Sequence, residues 1–127
     1  LPTTREEMDA LGWEQCDVIL VSGDAYIDSP YIGVSMVGRM LERLGYKVGM
    51  IGQPDINSPK DITRLGEPKI YWGISGGSVD SMVSNYTATK KFRNKDDYTP
   101  GGINNKRPDR ALSVYCNLIR RYFKNTV

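Results

Sequence analysis

Two short stretches of the sequence gather the side chains best suited to chemistry. The first is Ser22-Gly23-Asp24-Ala25-Tyr26-Ile27-Asp28-Ser29-Pro30. Asp24 and Asp28 offer carboxylates to a cation or to ligand hydroxyl groups, and Tyr26 between them serves as a lid aromatic or a surface plug. Two carboxylates four apart are too few for a metal site on their own. Asp28, just before Ser29-Pro30, suits a helix cap equally well. The second stretch is Ser75-Gly76-Gly77-Ser78-Val79-Asp80-Ser81. Its glycines precede a helical pattern, where free backbone N–H groups hold a phosphate or carboxylate. An ordinary strand-to-helix turn capped by Ser78 or Asp80 is the competing reading. Neither GxGxxG nor GxxxxGK[ST] is present, so the glycines alone do not specify a nucleotide. A third cluster, Lys106-Arg107-Pro108-Asp109-Arg110, places Arg107 and Arg110 at a helix start. Arginine suits bidentate recognition of phosphate or carboxylate. Cations beside a helix N-terminus oppose its dipole, which points to an acidic partner or ligand. A solvated loop with an Arg–Asp pair is the alternative.

Other chemistries are excluded by composition. The 127 residues include no His, which removes His-ligated zinc, Ser-His-Asp triads and Cys-His pairs. Cys16 and Cys116 lie 100 positions apart and form neither CxxC nor CxxxCxxC. They read as reduced core or near-core thiols of a cytoplasmic protein. No apolar run approaches the roughly 20 residues of a membrane helix, and the start, Leu1-Pro2-Thr3-Thr4-Arg5, does not resemble a signal peptide. The net charge of +2 hides an asymmetry: residues 1–89 hold 7 Lys/Arg against 12 Asp/Glu, and residues 90–127 hold 10 against 3. Lys90, Lys91, Arg93 and Lys95 form a charge run interleaved with Phe92 and Tyr98. It reads as a solvated face, with single-stranded nucleic acid as the sharper alternative.

The elements that must position these groups follow from periodicity. Thr3/Glu6 and Thr4/Glu7 are overlapping capping boxes for a short helix carrying Met8 and Leu11, stopped by Gly12. Asp17 to Gly23 is a continuous apolar run, as in a parallel strand buried on both faces. From Pro30 to Leu44, Ile32, Met36, Val37, Met40, Leu41 and Leu44 recur at helical spacing, ending at Gly45. Lys47 to Ile51 reads as a strand, and Ser58-Pro59 opens a small helix carrying Ile62 and Leu65. Lys69 to Ser75 is a third strand, and Val79, Met82, Val83 and Tyr86 mark another helix. Residues 87–106 read as a long polar loop. Pro108 then opens a last helix with Leu112, Tyr115, Ile119 and Tyr122 on one stripe. Trp13 and Trp72 read as core or sheet-face packing.

This alternation of strands and helices predicts an α/β fold, a three-layer open parallel sheet with right-handed crossovers. A flavodoxin-like strand order makes the first and third strands neighbours, so the two chemical loops meet beyond the strand ends. The pattern closes on a helix without a returning strand, and the chain reads as a truncated domain cut from a longer protein.

Longer blocks of sequence say more. GDAYIDSP (Gly23 to Pro30) is followed by GRMLERLGYKVGMIGQPD (Gly38 to Asp55) and RLGEPKIYWGISGGSVDSMVSNYTATKK (Arg64 to Lys91). DDYTPGG (Asp96 to Gly102) and NKRPDRA (Asn105 to Ala111) come next. Together these resemble the N-terminal region of the YgiQ-type radical SAM proteins, over nearly the whole chain. The resemblance implies a cobalamin-binding-domain-like α/β domain ahead of a radical SAM barrel in a parent several times longer. It also implies a [4Fe–4S] cluster on a CxxxCxxC motif of that barrel, with S-adenosylmethionine as co-substrate. The motif is absent here, so no catalytic or cluster residue carries over. The DxHxxG segment of cobalamin domains is absent too, and with no His there is no axial ligand.

The resulting expectation is a single accessory domain, residues 1–127, of a radical SAM enzyme of unknown substrate. It would not be catalytic itself and would hold no cofactor of its own. It would cover the barrel of the same parent chain and help bind substrate. The expected cleft residues are Asp24, Tyr26, Asp28, Gly76, Gly77 and Asp80, with Arg107 and Arg110 reaching toward the barrel or an anionic substrate. Two alternatives stand beside it. One is a stand-alone flavodoxin-like module for a nucleotide or phosphorylated ligand. The other is an RNA-interaction domain using the basic C-terminal third.

Overall fold

A computed structural model describes residues 1–23, 33–76 and 111–123. Their elements run α1 (Arg5–Ala10), β1 (Val18–Ser22), α2 (Gly33–Arg43), β2 (Val48–Gly52), α3 (Pro59–Thr63), β3 (Tyr71–Ser75) and α4 (Ala111–Tyr122). The three strands are parallel, in the order β2-β1-β3. In this register Leu20 sits between Met50 and Gly73, and Ser22 between Gly52 and Ser75.

The continuous apolar run makes β1 the central strand, buried along its whole length. Alternate residues serve opposite faces. Val18, Leu20, Val48 and Met50 line one face, where Leu1, Val34, Leu41 and Tyr71 pack against them. Ile19, Val21, Ile51 and Trp72 line the other, beneath Met8, Ile62, Leu65, Tyr115, Leu118 and Ile119. So α2 covers one face, and α1, α3 and α4 cover the other. The connections explain this split. The chain crosses from β1 to β2 in one direction and from β2 to β3 in the reverse direction. Right-handed crossovers therefore put α2 and α3 on opposite sides. The expected three-layer α/β sheet, flavodoxin-like in strand order, is present.

The caps are those expected from the residue types, with one choice resolved. Thr4 is the N-cap of α1, its Oγ1 accepting from the Glu7 N–H at 3.2 Å. The N-cap half of the Thr4/Glu7 box therefore forms, while the Glu7 carboxylate accepts from the Thr3 hydroxyl at 3.0 Å and the Thr4 hydroxyl at 3.4 Å. Ser58 caps α3 by accepting from the Lys60 N–H at 3.2 Å, with Pro59 in the first turn. A cap of this kind contributes about 1 kcal/mol. Gly45 and Gly66 leave α2 and α3 with φ of 94° and 80°, a region open to glycine at little cost.

Two helical stripes need correction. On α2, of the apolar residues at helical spacing among the described residues, only Leu41 packs on the sheet; Met36, Val37, Met40 and Leu44 face outward. The buried positions are Ser35 and Gly38. Small residues face the sheet because the helix lies close to it: a Cβ at Gly38 would stand 3.3 Å from Leu20 Cδ1. On α4 the buried stripe is Tyr115, Leu118 and Ile119, continued by Phe123, while Leu112 and Tyr122 are exposed. Phe123 stacks on Trp72 at 5.4 Å, which ties α4 to β3. Trp13 and Trp72 both pack in the core as expected, but Leu11 of the first helical pattern is exposed. Cys16 is buried, whereas Cys116 is exposed rather than near the core.

At the outer edge of β2, the Met50 N–H donates to the Pro2 carbonyl at 2.9 Å. The segment ahead of α1 thus lies along that edge. The predicted helix around Val79–Tyr86 and the predicted loop 87–106 lie outside the described residues.

Candidate functional site

In an open parallel sheet, ligands bind beyond the C-terminal strand ends where successive connections diverge. Here that point lies between β1 and β3. Ser22 and Ser75 end these strands side by side. Immediately beyond them the Gly23 N–H donates to the Ser75 carbonyl at 3.0 Å. The starts of the two chemical loops are therefore tied together, as the strand order requires.

A third strand end joins them. Gln53 follows β2, its N–H donating to the Ser22 carbonyl at 2.8 Å. Its side-chain Nε2 donates to the Gly23 carbonyl at 3.1 Å. Gly23 is thus held on both sides, through its N–H by Ser75 and through its carbonyl by Gln53. Gln53 is only 8% exposed and has φ of 46°, the left-handed region that L-residues with a side chain enter at a cost of roughly 1–2 kcal/mol. It also precedes Pro54, a position biased toward extended backbone. Such a conformation persists only when its surroundings over-determine it, and it recurs at functional sites. Sequence reasoning missed Gln53. The available signal was an amide side chain at a strand's C-terminal end, inside GMIGQPD, and periodicity gives no weight to a single polar residue there.

Of the residues expected to line the cleft, Gly76 follows β3 directly at this edge. Asp24, Tyr26, Asp28, Gly77, Asp80, Arg107 and Arg110 lie outside the described residues. What the structure brings together is the pair of loop starts, Ser22-Gly23 and Ser75-Gly76, with Gln53 behind them. An apolar groove of about 360 Å³ runs from Ser75 along the α2 side of the sheet, between Val34, Met36 and Val37 on one wall and Tyr71 on the other, over Leu20 and Gly73. A site of this make-up can position and desolvate a ligand. Its described part offers backbone groups, hydroxyls and one amide rather than an acid–base pair.

The profile of the family described as Radical SAM N-terminal matches residues 1–127. The chain belongs to the radical SAM N-terminal family. UPF0313 proteins are among its relatives. One from Fusobacterium nucleatum is 62% identical over 126 residues, covering 99% of this chain and 22% of the relative. One from Thermotoga maritima is 62% identical over 123 residues, covering 97% and 22%. One from Methanocella arvoryzae is 53% identical over 121 residues, covering 95% and 20%. The chain thus spans about a fifth of the length of these relatives. No solved structure matches it.

Radical SAM chemistry uses a [4Fe–4S] cluster held by cysteine thiolates, and the residues of this radical SAM N-terminal chain do not fit that group. Cys16 is buried in the core beside Met8, with Sγ 3.8 Å from the thioether sulfur, and Cys116 is exposed on α4. Among the described residues no three metal-ligating side chains gather. Among them, too, no helix is long and apolar enough to cross a membrane.

Burial pushes the Cys16 thiol from its ordinary 9.0 up to about 11, with Asp17 adding to the shift and Arg5 and Lys47 opposing it. The unfolded chain loses this proton near pH 9 and the folded chain keeps it to about pH 11. The contribution is therefore intact below pH 9 and is lost as pH rises toward 11. The expected result is a urea midpoint that falls between pH 9.0 and about 11 (the window of that shift) and falls less steeply in Cys16→Ala. An aromatic disulfide reagent at pH 8 should modify Cys116 rapidly, and Cys16 only as fast as the protein opens.

Proposed function

We propose that this chain is the N-terminal accessory domain of a longer radical SAM enzyme. It covers the catalytic barrel and contributes to substrate binding through the loops that leave the C-terminal edge of its sheet. The carrying observation is the joined strand end: Gly23 fixed between Ser75 and Gln53, at the start of both chemical loops. Fixed loop bases restrict where the carried side chains reach, and that restriction is what a positioning domain supplies. The family match over residues 1–127 supports the radical SAM context. The cluster and S-adenosylmethionine belong, in this reading, to the part of the protein beyond this chain, and they supply the radical. The side chains expected to meet substrate are Asp24, Tyr26, Asp28, Gly77 and Asp80 beside Gly76, with Arg107 and Arg110 directed toward the barrel or an anionic group. The enzyme is then cytoplasmic, the compartment that keeps free thiols reduced.

The test uses the full-length protein, purified without oxygen and reconstituted with iron and sulfide. Reductive cleavage of S-adenosylmethionine to 5′-deoxyadenosine is the readout. The expected result is cleavage by the wild type and a drop of at least tenfold in substrate-dependent turnover for Asp24→Ala and Asp80→Ala, with cluster content unchanged. Gln53→Ala is expected to weaken turnover through loop position, raising KM more than it lowers kcat. Unchanged turnover in both aspartate variants overturns the site, and absence of cleavage in the wild type overturns the radical SAM reading.

A further inference from the structure

The sheet is covered unequally. The face built on Ile19, Val21, Ile51 and Trp72 lies beneath α1, α3 and α4, whereas α2 is the one described helix on the face built on Leu20 and Met50. A parallel sheet is stable when both faces are covered. Over β3 on the α2 side lie the half-buried Tyr71 and Gly73, which form part of the 360 Å³ groove. Gly73 gives the groove a low floor, since a Cβ there would stand 2.6 Å from Leu20 Cδ2.

The outer surface of α2 continues that groove. Met36, Val37, Met40 and Leu44 are 52%, 48%, 62% and 70% exposed. Their spacing puts all four on one helical stripe. Beside the stripe Arg39 and Glu42 are paired at 2.8 Å, and the exposed Arg43, one turn from Met40, adds a single positive charge. A contiguous apolar surface of this kind marks an interface, and four apolar side chains beside one excess positive charge suit an apolar polypeptide rather than nucleic acid, which needs several cations. The occupant is indicated by length. The relatives carry about four fifths of their sequence outside the part this chain matches, enough to supply both a catalytic domain and a covering helix.

We propose that the α2 stripe and the adjoining groove are the docking surface for the remainder of the longer chain, which lays an apolar helix along Met36, Val37 and Met40 and over Tyr71 and Gly73. This deepens the accessory-domain reading and rests on it. It also gives the domain an orientation: the docked face adjoins the strand ends at Ser75, so the loops after Gly23 and Gly76 lie beside the covered side.

The test places a benzophenone photo-cross-linker at position 40, in place of Met40, in the full-length protein. Adducts are mapped by mass spectrometry, and Met36 oxidation by peroxide is followed on the unmodified protein. The expected result is an intramolecular adduct to residues beyond 127, with Met36 oxidised at least tenfold more slowly than in denaturant. Met8 and Met50, both buried, provide the fully protected reference. An adduct within residues 1–127, or one joining two copies and lost on dilution, overturns the proposal in favour of that occupant. No adduct together with Met36 oxidised at the denatured rate overturns it outright. Assay of 5′-deoxyadenosine on the same preparation separates the two readings. Cleavage without the adduct sinks the docking surface alone, and the adduct without cleavage sinks the radical SAM function alone.

Discussion

Replacing Ile19 with alanine is expected to destabilise the domain by about 2–5 kcal/mol, the range for truncating a fully buried branched side chain. Ile19 has no exposed surface and is the second residue of the central strand, paired with Gly49 on one side and Trp72 on the other. Its side chain belongs to the larger core cluster, beneath α1, α3 and α4. Strands on both flanks hold the backbone, so the vacated space cannot close by local collapse, which favours the upper part of that range. Net stabilities of domains are only about 5–15 kcal/mol, so the change removes a large share. Urea unfolding followed by tryptophan fluorescence reads it as a lower midpoint at unchanged slope. A loss under about 1 kcal/mol would contradict the packing described for this face.

Gly49→Val is expected to destabilise the protein even though valine is the better strand former. On strand preference alone the change gains up to about 1 kcal/mol. Sterics decide against it. A Cβ at position 49 would stand 2.8 Å from Leu65 Cδ1 and 2.9 Å from Cys16 Sγ. Both neighbours are buried, at 1% and 0% exposure, and have little room to give. Overpacking of this kind costs about 1–3 kcal/mol, more than the propensity gain. The glycine is therefore where Leu65, just after α3, and Cys16, just before β1, press on β2. Gly49→Val and Leu65→Ala together should cost less than the sum of the two alone, because the substitutions share one space. A stabilised Gly49→Val single variant would overturn this account.

The parts of the fold that depend on local chemistry were legible in the residues. Asp17 to Gly23 announces a strand buried on both sides because it is apolar without alternation. Ser58-Pro59 announces a helix start, and Gly45 and Gly66 announce helix ends. Periodicity failed on α2 and α4, for a physical reason. It finds a stripe but does not say what covers it. On α2 the face against the sheet is Ser35 and Gly38, whose small size permits the close approach, and the apolar stripe points elsewhere. On α4 the periodic stripe and the buried one share Tyr115 and Ile119 and differ at the flanks, where Leu112 and Tyr122 are exposed and Leu118 and Phe123 pack in the core. The candidate site was half legible. Strand ends locate the loops, and strand order brings Ser22-Gly23 to Ser75-Gly76. Gln53 depends on a backbone φ of 46° and on the register of β2 against β1, neither of which is written in the type of one residue.

The contact between Met50 and Pro2 bears on how the protein behaves in concentrated solution. Strand edges recruit other strands, and that recruitment begins most aggregation of sheet proteins. At Met50 the outward N–H of β2 is already engaged by the Pro2 carbonyl. Proline has no N–H of its own to offer an incoming chain. The edge is thereby closed at Met50 by a residue that accepts but cannot pass the pairing on, so fibril-like growth has no donor at Pro2 from which to start.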